Sequence, residues 1–308
     1  MSAEGSTRAI VAALAANAGI AVAKFVGFAI TGSSSMLAEG VHSVADTSNQ
    51  GLLLFGQRSA SREADKLHPF GYGRSRYFYS FIVALVIFTL GSMFALYEGV
   101  EKIRHAGDHG LDSPMVAVVI LLVAICLEGY SFHTAQKESR VLRGDSSWWQ
   151  FIRTSRNPEL PVVLLEDSGA LIGLVLALAG VGLTMITGNA VWDGIGTLSI
   201  GVLLGLIAIV LIIEMKSLLI GEGATDAEEQ ALRAAIPGQD VDRVIHMKTQ
   251  YLGPEELLVA AKIAIAPGLG AVEIATAIDG AEARIRAVVP QARVIYLEPD
   301  IDRGEGGS

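Results

Sequence analysis

Six long apolar stretches limit most strongly what this chain can fold into. They cover residues 7–31, 34–57, 77–104, 114–136, 158–186 and 191–220. An α-helix rises about 1.5 Å per residue, so about 20 residues cross the roughly 30 Å hydrocarbon core of a bilayer. Of the 308 residues, 51% are hydrophobic and 18% charged, a composition typical of membrane proteins. The sequence therefore predicts a polytopic α-helical membrane protein with six transmembrane helices in contact with the lipid bilayer.

The distribution of Lys and Arg predicts how these spans are oriented. Two connections are basic; they carry Arg58, Arg62, Lys66, Arg74 and Arg76, and then Lys137, Arg140, Arg143, Arg153 and Arg156. The connections on the opposite side hold only Lys102 and Arg104. Because basic loops stay in the cytoplasm, we predict a multi-pass protein with both termini cytoplasmic, in the cell membrane if the chain is prokaryotic. The first residues lack the pattern of a removable signal peptide.

The chain changes character after residue 220. Residues 221–308 carry 15 acidic and 8 basic side chains, and so hold most of the net charge of −9. Their pattern indicates a helix N-capped by Thr225, two strands around YLGPE, an amphipathic helix and a last strand. We predict a transmembrane domain at 1–220 and a cytoplasmic α-β-β-α-β, ferredoxin-like α+β domain at 221–308 with a short disordered tail at 303–308. The acidity of the domain at 221–308 argues against a nucleic-acid partner.

Four polar side chains interrupt the second apolar stretch. Glu39, His42, Asp46 and Asn49 follow an i, i+3, i+7, i+10 spacing, so they share one face of a helix. His42 and Asp46 are one turn apart and could bind a single ion. Ionisable groups at bilayer depth are costly and usually functional. The alternative is a buried polar stripe that only holds neighbouring helices together.

A second acidic pair lies in the fifth apolar stretch. Glu166 and Asp167 are adjacent, so their side chains point about 100° apart on a helix and cannot both face the same partner. We expect one of them to complete a site with the second helix, and the other to contact a different helix or a proton path. The alternative is a structural salt bridge, for which Lys24 is the only base deep enough in the membrane.

An imidazole among carboxylates favours particular ions. It suits Zn²⁺ and neighbouring transition ions, whereas alkali and alkaline-earth ions prefer sites made only of oxygen. Such ligands bind metal only when they are deprotonated, so metal capture releases protons. This competition between metal and protons for the same ligands can couple metal transport to proton transport. No nucleophile with a partnering base is visible, so the sequence predicts neither an enzyme nor an organic cofactor.

Several motifs together resemble one family. SSSMLAEGVHSVADTSNQ on the second span, ADKLHPFGYGR after it, six spans and the α-β-β-α-β tail resemble the cation diffusion facilitator family of metal–proton antiporters. LEDSGALIG in the fifth span resembles a divergent, zinc-transporter-like branch. The resemblance implies a homodimer that exports a divalent transition ion in exchange for H⁺ by alternating access.

The resemblance also implies the ligands of the transported ion. His42 and Asp46 match the family's ligands on the second helix, and Asp167 matches the acid on the fifth. The family places a further ligand one turn before that acid, where this chain has Val163. The candidates to replace it are Glu166, Ser168, Asn49 and Glu39.

Two other family sites are incomplete in this sequence. In the cytoplasmic loop Asp65 and His68 match, but the third ligand position is Tyr72, and a phenol is a poor zinc ligand. We therefore expect weak binding or none in the loop. In the soluble domain His246 matches, whereas Lys262 and Tyr296 replace histidines. We expect that second site to be lost.

The sequence thus predicts export of Zn²⁺ in exchange for protons, with His42, Asp46 and Asp167 as ligands. The limited nitrogen content of the shell leaves Mn²⁺, Fe²⁺ or Co²⁺ open as the transported ion. A different reading is a metal-sensing or scaffold membrane protein with the same fold and weak or no transport.

Overall fold

A computed structural model describes residues 18–105 and 114–300. The predicted start of the first span, residues 7–17, and the predicted disordered tail at 303–308 lie outside the described residues. The helices are α1 Ala18–Thr31, α2 Ser34–Ala60, α3 Ser75–Arg104, α4 Pro114–Arg143, α5 Trp148–Thr154, α6 Glu159–Thr187, α7 Val191–Ile220, α8 Asp226–Ala235 and α9 Ala271–Val288. The strands are β1 Val241–Gly253, β2 Glu256–Ile265 and β3 Val294–Asp300.

Length and apolar character single out the helices that can cross a membrane. Within the described residues these are α3, the Pro114–Thr134 part of α4, α6 and α7. Helix α1 is apolar but is described only from Ala18. Helix α2 has 27 residues, which is long enough, but its polar side chains reduce its apolar character. The predicted class, a polytopic helical membrane protein with a C-terminal α+β domain, is confirmed.

The connection before the fifth span contains a short helix that the sequence pattern did not predict. Helix α5 begins after Ser147, whose side chain accepts a hydrogen bond from the Gln150 amide. Phe151 and Ile152 are buried, and Arg153 lies 3.3 Å from the Glu214 carboxylate. The fifth and sixth predicted spans are therefore α6 and α7.

Glycines let α7 pack closely against two other helices. A Cβ on Gly99 of α3 would lie 2.7 Å from the Leu198 backbone nitrogen of α7. A Cβ on Gly180 of α6 would lie 2.9 Å from the Trp192 carbonyl oxygen. Neither position has room for a side chain, because the opposing atoms belong to the backbone and cannot move aside. These contacts fix α3 and α6 against α7.

Helix α2 is capped by a carboxylate from α7. Gly32 turns the chain with a φ of 63°, and Ser34 begins the helix. Asp193 accepts hydrogen bonds from the Ser33 hydroxyl and the Ser34 backbone amide, both at 2.8 Å. The Asp193 side chain is fully buried. A negative charge at a helix N-terminus satisfies amides that have no partner in the helix and interacts favourably with the helix dipole.

The chain divides into two compact units. Among the described residues, one unit comprises those up to Gly56 and those within Phe78–Met215, and the other comprises Gln57–Tyr77 and those from Lys216 onward. The predicted domain boundaries, 1–220 and 221–308, stay a prediction.

The second unit contains the predicted α-β-β-α-β order. A capping box formed by Thr225 and Glu228 starts α8. The sheet has the order β1-β2-β3, with β1 antiparallel to β2 and β2 parallel to β3. Strand β1 continues to Gly253, further than predicted, so the turn is shorter. Helix α9 provides the crossover between the parallel strands, and it buries Ala277, Ala281 and Ile285.

Candidate metal site in the membrane domain

The polar face of α2 lies inside its unit, as its spacing predicted. Glu39 and Asn49 are at most 1% exposed, and His42 and Asp46 are also buried. The four side chains are therefore shielded from lipid by neighbouring helices. A membrane interior offers no water to such groups, so their partners must come from the protein or from an ion.

His42 and Asp46 have the spacing of a pair that can chelate one ion. The Nδ1 atom of His42 lies 3.5 Å from Oδ1 of Asp46. Two atoms bound at about 2.0–2.1 Å to one tetrahedral ion are about 3.4 Å apart. The pair could bind a divalent ion with little movement of the backbone.

The adjacent acids of α6 turn toward different helices. The Asp167 carboxylate accepts a hydrogen bond of 3.3 Å from Ser131 of α4. Glu166 lies beside Asn49 of α2, although its Oε2 atom has no hydrogen-bond partner within the described residues. Because Glu166 and Asp167 are adjacent in the sequence, their side chains were expected to face different helices, and they do. Both acids are close enough to act electrostatically on Asp46 of α2.

Carboxylates from three helices interact around Asp46. Glu166 and Asp167 of α6 and Glu128 of α4 are all close enough to interact electrostatically with one another or with Asp46. Asp46, Glu166 and Asp167 are buried. Negative charges buried together repel one another and are costly unless a cation or protons neutralise them. The cluster is thus suited to bind either.

Glu39 forms an ion pair with Lys24 of α1. The Lys24 ammonium lies 3.0 Å from Oε2 of Glu39, and it donates a hydrogen bond of 2.7 Å to the Ser43 hydroxyl. Lys24, the base that the sequence offered for a structural salt bridge with the acids of the fifth span, thus pairs with an acid of α2. The His42–Asp46 pair is a separate contact.

The candidate ligands do not form a closed coordination shell. Within residues 18–105 and 114–300, no three His, Cys, Asp or Glu side chains are placed close enough together to hold a metal ion. Val163, at the position of the missing family ligand, is half-buried. The Ser168 hydroxyl donates to the Leu164 carbonyl oxygen of its own helix at 2.6 Å. Binding by residues of both α2 and α6 therefore requires the two helices or their side chains to approach each other.

The loop after α2 uses its carboxylate internally. The Tyr72 hydroxyl donates to Oδ2 of Asp65 at 2.7 Å, and the backbone amides of Leu67 and His68 donate to Oδ1. These bonds lower the pKa of Asp65, the one from Tyr72 most strongly. The same bond raises the pKa of Tyr72, so this phenol ionises less readily and is a poorer ligand. That is consistent with the weak site expected for Asp65 and His68.

A lysine lies at the second of the two incomplete family sites, the one expected in the C-terminal domain. Lys262 of β2 is opposite His246 of β1. Its ammonium lies 3.1 Å from Glu298 and 3.2 Å from Asp300. The hydrogen bonds that Lys262 donates to the two carboxylates raise its pKa. Two acids that could otherwise serve as metal ligands are thus paired with a positive side chain.

Three groups that belong to α2, or contact α2 or the acids of α6, were not predicted as partners. Ser131 lies one helical turn after Glu128, so the spacing places both on one face of α4 and could have indicated Ser131 as a partner. Ser43 follows His42 directly and contacts Lys24 from outside the i, i+3, i+7, i+10 pattern. Asp193 lies far from α2 in sequence, and no local pattern could assign it to the start of that helix.

Comparison with known proteins gives one family. Residues 10–220 match the cation efflux transmembrane domain. Human "Proton-coupled zinc antiporter SLC30A9, mitochondrial" is 33% identical over 253 residues, which cover 81% of this chain and 44% of the relative. "Metal tolerance protein C4" of Arabidopsis thaliana is 33% identical over 263 residues, or 84% of this chain and 57% of the relative. The chain thus spans about half the length of these curated relatives.

A third relative is more distant but similar in length. "Magnetosome protein MamB" of Magnetospira sp. (strain QH-2) is 25% identical over 269 residues, covering 87% of this chain and 86% of the relative. The similarity therefore extends over most of the described residues of both units.

Proposed function

The chain belongs to the cation efflux, or cation diffusion facilitator, family, and on that premise we propose that it exports Zn²⁺ from the cytoplasm in exchange for protons. The observation that carries this proposal is the buried His42–Asp46 pair beside a carboxylate cluster drawn from α4 and α6. The printed name of the human relative, a proton-coupled zinc antiporter, supports the same ion and the same coupling.

His42, Asp46 and Asp167 hold the ion in this proposal, and Glu166 or Asn49 completes the shell. Zn²⁺ is the transported substrate. A divalent ion at Asp46 neutralises the surrounding carboxylates, and protons take over that role when the ion leaves. Because the cluster cannot remain fully charged in a dry interior, occupancy by metal and occupancy by protons exclude each other. Exchange follows when these two occupied states open to opposite sides of the membrane.

The proposed setting is an integral membrane homodimer with both termini in the cytoplasm. The basic connections after α2 and after α4 support this orientation. The dimer is inferred from the family resemblance. No organic cofactor and no enzymatic step is part of the proposal.

Transport by reconstituted protein tests the proposal. Proteoliposomes holding the full chain should accumulate Zn²⁺ when a proton gradient is imposed, and collapse of the gradient should stop uptake. Asp46→Asn should abolish uptake, because it removes the charge at the centre of the cluster. Equal and negligible uptake by both proteins would instead support the sensor or scaffold reading.

A second candidate function is transport of Mn²⁺, Fe²⁺ or Co²⁺. It is favoured by the composition of the site, in which His42 is accompanied by the carboxylates of Asp46, Glu166 and Asp167. Oxygen-rich shells suit harder ions such as Mn²⁺. Competition of each ion against Zn²⁺ uptake in the same proteoliposomes distinguishes the candidates: the physiological ion should compete at the lowest concentration.

A further inference from the structure

Lys24 and Glu39 form an ion pair in the interior of the membrane unit. The Lys24 Nζ atom lies 3.0 Å from Oε2 of Glu39, and the two side chains are at most 1% exposed. The same ammonium donates a hydrogen bond of 2.7 Å to the Ser43 hydroxyl. The pair therefore joins α1 to α2 out of reach of solvent, at the turn of α2 that precedes His42.

Glu39 is also confined on its far side. A Cβ on Gly173 of α6 would lie 2.6 Å from Oε1 of Glu39, so this oxygen occupies the space that the glycine leaves. Oε1 has no hydrogen-bond partner within the described part of the chain. Glu39 thus gives one oxygen to Lys24 and keeps a buried, unused oxygen against the helix that carries Glu166 and Asp167.

The positive charge of Lys24 reaches the candidate metal site. It acts electrostatically on His42 and Asp46, and on Glu128 of α4. Charges in a low-dielectric interior interact more strongly than in water. Lys24 therefore repels a divalent ion bound at His42 and Asp46, and it partly balances the carboxylates when that ion has left.

We propose that Lys24 weakens metal binding at the transport site, because it holds Glu39 out of the coordination shell and repels the bound ion. The inference rests on the proposed function, since it concerns the same site. A transported ion must be released as well as captured, and each additional charged ligand tightens a divalent-ion site. Lys24 is thus a positioning residue that acts through Glu39 and sets the affinity for release.

The decisive variant is Lys24→Met in the full-length protein. Met keeps most of the length of the side chain and removes its charge, so Glu39 loses its partner and can turn toward the metal. The dissociation constants of Zn²⁺ and Mn²⁺ are measured for purified protein by competition with a chromophoric chelator. We expect both ions to bind at least tenfold more tightly than to the unmodified protein, and Mn²⁺ to gain more because an oxygen ligand is added.

Two further variants complete a double-mutant cycle. Glu39→Gln leaves the Lys24 charge unbalanced beside Asp46, so Zn²⁺ should bind about tenfold more weakly. Lys24→Met combined with Glu39→Gln replaces the ion pair by a neutral pair, and its Zn²⁺ affinity should return to within about threefold of the unmodified value. Lys24→Arg keeps the charge and serves as the conservative control, with unchanged affinity.

The outcomes separate this inference from its alternatives. Unchanged or weaker metal binding by Lys24→Met would overturn it, because the ion pair would then be structural or Glu39 would already be a ligand. If Lys24→Met does not yield folded protein, the comparison of Glu39→Gln with the double variant decides: equal affinities overturn the inference. If the unmodified protein neither binds nor transports Zn²⁺, the proposed function fails, whereas normal transport with unresponsive Lys24 variants defeats the inference alone.

Discussion

His42 is the only nitrogen ligand among the residues that we assign to the transport site, and its Nδ1 atom lies 3.5 Å from Oδ1 of Asp46. An imidazole nitrogen favours Zn²⁺ over harder ions, whereas a carboxylate at the same place does not. The selectivity of the site should therefore depend on position 42 more than on any other candidate ligand.

Replacing the imidazole should change the preferred ion. We expect His42→Asp to weaken Zn²⁺ binding at least tenfold relative to Mn²⁺, because the shell then contains only oxygen. Parallel titrations of the purified variant with the two ions measure the ratio. Unaltered preference would show that His42 does not bind the transported ion.

Gly173 offers a test of how tightly Glu39 is confined. In Gly173→Ala the new Cβ would lie 2.6 Å from Oε1 of Glu39, so the ion pair with Lys24 must shift. Overpacking of this kind costs about 1–3 kcal/mol. Thermal unfolding in detergent should show the loss. Gly182→Ala on the same helix is the matched control, since nothing lies within 4 Å of its Cβ, and it should be neutral.

Sequence reasoning identified the buried residues of the site better than their partners. The spacing of Glu39, His42, Asp46 and Asn49 predicted a common face, and all four are buried. The position of Glu166 beside α2 did not follow, because adjacent helical residues are about 100° apart and the sequence gives no rotation for the helix. Pairings between helices depend on packing, which no single-helix pattern contains.

At the scale of the elements, α2 depends on α7 for its first turn. Asp193 accepts from Ser33 and Ser34 and is fully buried, and the Ser35 hydroxyl donates to the Asp193 carbonyl oxygen at 3.0 Å. The helix that carries His42 and Asp46 therefore starts at a point fixed by another helix. We expect any movement of α7 to be transmitted to α2 through these hydrogen bonds.

Removing that carboxylate should destabilise the membrane unit. Asp193→Ala leaves the Ser33 hydroxyl and the Ser34 amide without their acceptor in a buried place, at a cost of about 2–4 kcal/mol. A lower midpoint of thermal unfolding in detergent checks this. Ser199→Ala, which removes a hydroxyl bonded to the Ile195 carbonyl of its own helix, should have little effect.

The long elements followed from the sequence more reliably than the short ones. Strong apolar runs predicted the ends of α6 and α7 to within a residue or two. Helix α5 has only 7 residues, which is too short to show a periodic pattern. Helix α3 contains a π-helical stretch at Val83–Phe88, and hydropathy carries no signal for such a local change of winding.

At the scale of the whole molecule, the proposed direction of transport depends on which side the basic loops face. Arg62 and Arg153 belong to the two basic connections, and the turn between α6 and α7 contains Asn189 on the opposite side of the predicted topology. The orientation of the spans stays a prediction.

Cysteine labelling of intact cells tests that topology. Cys126 is the single cysteine, so Cys126→Ser provides a background without thiols. A membrane-impermeant maleimide added from outside should label Asn189→Cys and leave Ser61→Cys and Asp145→Cys unlabelled until the cells are opened. The reverse labelling pattern would show the opposite membrane orientation, and the proposed exporter would then be an importer.

The cap on α2 has a consequence for the order in which the protein is made. Ser33 and Asp193 are 160 residues apart in the chain, which is roughly 8–30 s of synthesis at about 5–20 residues per second. During that time the second span is in the membrane without its cap. Lys24 and Glu39 are only 15 residues apart, so their ion pair can form as soon as the first hairpin has left the ribosome. The nascent hairpin can thus enter the bilayer with its buried Glu39 already neutralised, long before the helix that caps it exists.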